Sequence, residues 1–151
     1  MTTLTDSATP ARRVDQLLAH YEESHRHPKN ERIHFVAIPL IMLSLLGLLY
    51  AIHPWAAFAL VLASMVYYAR LSTPFLVAMT ALSILGLGLV YAMGEYRLTI
   101  SVAIFVAAWI AQFVGHNIEG KKPSFFEDLQ YLLVGPIFVL SKLFLKLGIR
   151  W

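Results

Sequence analysis

The chain is 151 residues long, 58% hydrophobic and only 14% charged, with no cysteine and a formal net charge of +3. Soluble domains carry about a quarter charged residues, so this sequence has little with which to cover a water-facing surface. The missing cysteines exclude disulfides, thiolate metal sites and iron–sulfur clusters. The basic excess sits beside apolar stretches, where membrane topology accounts for it, and nucleic acid is not an expected partner.

Residues 1–9 read as a disordered tail and 10–151 as a single integral membrane domain. The opening segment carries Asp6, Asp15, Glu22, Glu23 and Glu31, a composition unlike that of a cleaved leader. Thr9-Pro10 is expected to cap a first helix. Val14, Leu17, Leu18 and Tyr21 then recur at helical spacing opposite Arg12, Arg13, Asp15, Glu22 and Glu23. This predicts an amphipathic helix lying on the membrane or on the other helices and ending before Pro28. Residues 28–33 read as a connector.

No Asp, Glu, Lys or Arg occurs over 33–69, 71–94 or 98–118. Crossing the hydrocarbon core takes about 20 apolar residues in a helix, and the runs lack the period-two alternation of a membrane barrel. His53-Pro54 divides the first run, giving spans over about 34–50 and 55–69. Ser72-Thr73-Pro74 precedes a third span over about 75–93, and Gly94-Glu95-Tyr96-Arg97 turns the chain into a fourth over 98–116. Ser124 and Glu127 form a capping box before an apolar stretch over 129–147, interrupted by Gly135-Pro136, with Lys142, Lys146 and Arg150 at its end. Whether that stretch spans, re-enters or lies in the interface stays open. The expected fold is an all-α polytopic membrane bundle of four to five hydrophobic helices preceded by the amphipathic one.

Arg26, Lys29 and Arg32 precede the first span, Arg70 follows the second, and Lys121 and Lys122 follow the fourth. Basic residues favour the cytoplasmic side, which predicts a multi-pass protein with a cytoplasmic N-terminus. The membrane would be the inner membrane of a bacterium or the endoplasmic reticulum of a eukaryote.

Of the six histidines, His53 reads as an interface residue, and His20 and His27 as surface residues. The topology brings the others together: His34 opens span one, His116 closes span four, and His25 continues the stripe of Val14, Leu18 and Tyr21. Three imidazoles without cysteine suit Fe(II), Zn(II) or a similar metal. Gln112, His116 and Glu119 share a helix face. Glu119 is read as completing the coordination, orienting a ligand histidine, or pairing with Lys121 or Lys122. Asn30 is read as a ligand, a substrate contact or a helix cap. Ala107, Ala111 and Gly115 repeat every four residues, the pattern of close helix packing.

The string Tyr21-x-x-x-His25-x-x-x-x-Asn30-x-x-x-His34, followed by Ile38-Pro39, resembles the N-terminal signature of a small membrane family long catalogued as a domain of unknown function. The segment Trp109-Ile110-Ala111-Gln112-Phe113-Val114-Gly115-His116 with Glu119-Gly120-Lys121-Lys122-Pro123, and the block Leu132-Leu133-Val134-Gly135-Pro136-Ile137-Phe138, are similar to its other signatures. The fungal member of that family is an endoplasmic-reticulum 2-hydroxy fatty acid dioxygenase of phytosphingosine breakdown. The resemblance covers nearly the whole chain beyond about residue 15. It implies Fe(II)-dependent α-oxidation of a 2-hydroxy fatty acid to a one-carbon-shorter product with O2, with His25, His34 and His116 as iron ligands and Glu119 beside them. On this reading Asn30 and Gln112 contact substrate, and Arg26, Lys121 or Lys122 steers its carboxylate. The acyl chain is expected between spans one and four. Competing readings are a zinc-dependent lipid hydrolase, bis-histidine haem ligation by His34 and His116, and a non-enzymatic scaffold or transporter. Oligomeric state is left open, a homodimer among the options.

Overall fold

The computed structural model describes residues 12–120 and 131–151. The tail at 1–9, the Thr9-Pro10 cap and the Ser124/Glu127 capping box lie outside the described residues. Among the described residues there are six α-helices and no strand: α1 (Arg13–Glu22), α2 (Pro28–Ile52), α3 (Pro54–Ala69), α4 (Thr73–Ala92), α5 (Arg97–Glu119) and α6 (Val134–Leu147), with a 3-10 turn over Gly94–Tyr96 before α5.

Two His-Pro steps set helix starts. At His27-Pro28 and His53-Pro54 the histidine accepts a hydrogen bond from the backbone N–H two residues on, from Lys29 at 3.2 Å and from Trp55 at 3.3 Å. The proline occupies the first helical position, where its missing N–H costs nothing. The segment expected as a connector over 28–33 is therefore the first turn and a half of α2. The helix cap, one of the three roles read for Asn30, is made by His27. Pro39 lies inside α2, which continues to Ile52.

Pro28–Ile52, Thr73–Ala92 and Gly94–Glu119 are long and apolar enough to cross a membrane. The second expected span, α3, has 16 residues, roughly 24 Å at 1.5 Å per residue against a hydrocarbon core of about 30 Å. Apolar side chains such as Leu62, Ile84 and Ile110 point outward around this bundle, as lipid-facing helices require.

The stripe Val14, Leu18 and Tyr21 on α1 is buried, but its partner is α6. These residues share one core with Ile137, Phe138 and Phe144 of α6 and with Tyr68 and Phe75 of α3 and α4. With 14 residues, α6 reaches roughly 21 Å, and Gly135-Pro136 opens that helix instead of interrupting a longer one. The Tyr68 hydroxyl donates to the Leu133 carbonyl at 2.9 Å, fixing the approach to α6.

The longest helix contact is α2 against α5. Small residues line it: Ala37, Ser44 and Gly47 of α2 are buried, as are Ser101, Ala108 and Gly115 of α5. The expected Ala107–Ala111–Gly115 repeat is thus corrected in register, since Ala107 is exposed and Ser101, Ala108 and Gly115 face the seam at intervals of seven. A Cβ on Gly47 would run into the Ser101 hydroxyl, so the backbones approach as closely as side-chain-free contact allows.

Candidate metal centre

Tight packing of α2 on α5, with α1 leading into α2, brings three imidazoles to one end of the bundle. His25, His34 and His116 are 4%, 0% and 6% exposed, and each offers a ring nitrogen such that all three nitrogens lie within 4.8 Å of one another. The rings stand edge to face: His25 and His34 have centroids 4.2 Å apart at 77°, His34 and His116 5.0 Å at 87°, and His25 and His116 5.5 Å at 64°. Rings set in this way do not stack on one another, and they bring one nitrogen of each into a common space.

The protonation pattern follows from the backbone. His25 Nδ1 lies 2.7 Å from the Tyr21 carbonyl and His34 Nδ1 lies 3.0 Å from the Asn30 carbonyl. A carbonyl oxygen only accepts, so Nδ1 carries the proton in both rings and Nε2 keeps its lone pair. Metal-binding histidines are commonly oriented by such an Nδ1–H bond. The Tyr21 ring also stacks on the His25 ring, with centroids 4.2 Å apart and planes within 6°, which fixes His25 against rotation. His34 Nε2 is buried with no hydrogen-bond partner among the described residues. An orphaned acceptor of this kind costs about 1–3 kcal/mol, a cost that a bound cation removes. The donor set therefore fits a divalent transition metal with nitrogen preference.

Glu119 has another task than ligation. Its carboxylate accepts from the Arg26 N–H at 3.0 Å, the His27 N–H at 2.8 Å and Asn30 Nδ2 at 3.0 Å. The end of α5 thereby holds the turn that carries His25 and the start of the helix that carries His34. Asn30 is fully buried and also donates to the Ser24 carbonyl at 3.3 Å, so it ties the same turn from α2. Gly115 lets this happen: a Cβ there would collide with the Asn30 side chain and come within 3.3 Å of His34 Cε1. Gly120 adopts a left-handed conformation, φ 74°, and ends α5 directly after Glu119.

Gln112 lies one turn below His116, buried, lining a void of about 20 Å³ with Tyr21, Ile41, Trp109 and Gly135. That is room for a molecule the size of water. Arg26 is exposed, and its side chain lines an open cleft with His25, Glu22, Glu31 and Lys142. Lys121 and Lys122 lie outside the described residues. Lys142 was not singled out as a site residue, because more than a hundred residues separate it from His25. Its ammonium is 5.1 Å from the centre of the Phe138 ring, and that ring is 5.7 Å from His25.

The other histidines have structural partners. His27 and His53 cap helices, and His20 is exposed beside Glu23 at 3.5 Å. The haem alternative meets a steric objection, because the His25 ring packs against both His34 and His116 and leaves no slot between them for a macrocycle. A path for an acyl chain between α2 and α5 is likewise closed by the small-residue packing of that seam.

Over residues 11–147 the chain matches the family described as "Mpo1-like: 2-hydroxy-palmitic acid dioxygenase Mpo1-like". It is similar to the 2-hydroxy-palmitic acid dioxygenase MPO1 of Saccharomyces cerevisiae, with 31% identity over 139 residues covering 87% of this chain and 79% of the yeast protein. No solved structure gives a significant match.

Proposed function

The chain belongs to the Mpo1-like family, and from that premise we propose that it is a multi-pass membrane dioxygenase that shortens 2-hydroxy fatty acids by one carbon with O2, using iron held by His25, His34 and His116. The observation that carries this reading is the convergence of three buried imidazoles, two of them with Nδ1 committed to a carbonyl. Iron(II) held by three nitrogens supplies the O2 activation that no protein side chain provides.

The protein's own part is placement. Tyr21, Asn30 and Glu119 fix the imidazoles, and the apolar packing of Trp109 and Ile41 behind them excludes bulk water. A 2-hydroxy carboxylate offers two oxygens in chelating position, so the hydroxyl selects the substrate over an ordinary fatty acid. With the lost carbon leaving as CO2, the sum of substrate and O2 closes to the shorter acid, CO2 and water without an outside reductant. The end of the bundle that bears the histidines also bears Arg26, Lys29, Arg32 and Arg70, which supports a cytoplasmic N-terminus and site. Residues 10–151 then form one integral membrane domain.

The test is turnover by purified protein reconstituted in lipid. The expected result is O2-dependent conversion of a 2-hydroxy fatty acid to the acid one carbon shorter, with no conversion of the 3-hydroxy isomer. Equal turnover of both isomers, or hydrolysis of a lipid ester with no O2 uptake, would contradict the proposal.

A further inference from the structure

Helix α2 presents a second stripe, away from the histidines. Arg32, then Phe35 and Val36, then Pro39 and Leu43 recur three or four residues apart, and so lie along one face. On α6, Pro136, Val139 and Lys142, then Leu145 and Lys146, do the same. The two stripes meet in opposite directions, so the seam between them changes character along its length. At the histidine end it is a cleft lined by Arg32, Lys142 and Lys146, with Phe35 and Leu145 as apolar walls and Glu31 as the one carboxylate. Deeper in the bundle, one helical turn beyond Val36 and Lys142, lies an almost wholly apolar groove of about 250 Å³, walled by Pro39 and Leu43 of α2, Leu82 and Gly86 of α4, and Pro136 and Val139 of α6.

A basic mouth above an apolar body matches one kind of molecule, a single acyl chain with an anionic head. The mouth also adjoins the metal centre. Lys142 and Glu31 line both the basic cleft and the cleft that contains His25. Lys142 pairs with Glu22 of α1 and lies 3.7 Å from Glu31 of α2. Ion pairs this exposed contribute about 0–1 kcal/mol, so an incoming carboxylate can replace either glutamate at little cost.

We infer that the cleft between α2 and α6 and the groove that α4 walls with them bind the fatty acid, with its chain against Pro39, Leu43, Leu82 and Val139 and its carboxylate on Lys142 beside His25. Calling this ligand the substrate rests on the dioxygenase reading above; the groove and its mouth do not.

The experiment uses the full chain in nanodiscs of phosphatidylcholine, with two photoreactive probes carrying the same diazirine chain, one a free fatty acid and one a phosphatidylcholine. The free acid is expected to label Leu43, Leu46 or Val139. Lys142→Met should lower that labelling by about tenfold, the weight of one charge-assisted hydrogen bond, whereas Lys142→Arg should retain it. Phosphatidylcholine labelling should not change in either variant. Val139→Trp should remove groove labelling and raise KM for long-chain 2-hydroxy acids while leaving metal content unchanged. Equal labelling by both probes, indifferent to Lys142, would overturn the inference and make the seam an ordinary lipid-facing crevice, as would labelling of α5. Lys142-dependent labelling in a protein that turns over no 2-hydroxy acid would sink the dioxygenase reading and leave the groove standing. Normal turnover insensitive to Lys142→Met and Val139→Trp would do the reverse.

Discussion

Helix α2 has two unlike seams. Against α5 it uses Ala37, Ser44 and Gly47, meets Ser101, Ala108 and Gly115, and leaves no space for a methyl group at Gly115. Against α4 and α6 it uses larger side chains and leaves a groove of about 250 Å³. The first seam sets the separation of His34 and His116, and a metal site tolerates errors of only about half an ångström. The second must admit a ligand, and slack there is a requirement. The contrast teaches that close packing in this bundle follows the imidazoles, not hydrophobicity as such, because the tighter seam is built from small residues and serines while the groove is walled by large apolar side chains.

The comparison can be broken or sharpened by substitution, and the largest effect belongs to the three histidines proposed as ligands. His25→Ala, His34→Ala or His116→Ala should abolish turnover while helical content by circular dichroism is kept; residual turnover in any of the three would remove that residue from the centre. Next comes the tight seam itself. Gly115→Ala forces a Cβ into Asn30, and overpacking of this kind costs about 1–3 kcal/mol. It should lower the midpoint of thermal unfolding, whereas Val139→Ala on the loose seam should barely move it, and equal shifts would erase the contrast. Glu119→Gln keeps the shape but weakens the hold on the Arg26–His27 turn. It should reduce metal affinity by about 10–100-fold, the range for residues that orient ligands, without preventing loading at high metal. A Glu119→Gln variant with normal affinity would show that Asn30 holds the turn unaided. Smallest is His53→Ala, at the far end of the bundle, which removes a cap worth about 1 kcal/mol. Its metal content should match that of the unaltered protein, and iron loss there would show that the far end is coupled to the site.

The helices and the histidine trio were legible because each rests on a signal local to the sequence. Charge-free runs mark the helices, and an up-down path through four of them returns His116 to the level of His34. What escaped depends on partners distant in sequence or on the helix start. The role of Asn30 in tying the turn to Glu119 is hidden because Lys29, Glu31 and Arg32 make 28–33 look like a loop. The Pro-at-first-position signal applied at Thr9-Pro10 was equally present at His27-Pro28. The partner of the α1 stripe and the position of Lys142 both depend on where α6 docks, and Gly135-Pro136 reads from the sequence as an interruption of a longer helix when it marks the start of α6. The small-residue repeat was found on the right helix, but Ala107 and Ala111 share a spacing that alone does not say which of two adjacent faces meets α2.

The central claim is that His25, His34 and His116 hold one iron. Metal content by mass spectrometry on detergent-purified protein, run beside the three alanine variants, tests it most directly. The account predicts near-stoichiometric iron in the unaltered protein and none in any variant. Zinc in place of iron, or iron that persists when His34 or His116 is removed, would contradict it.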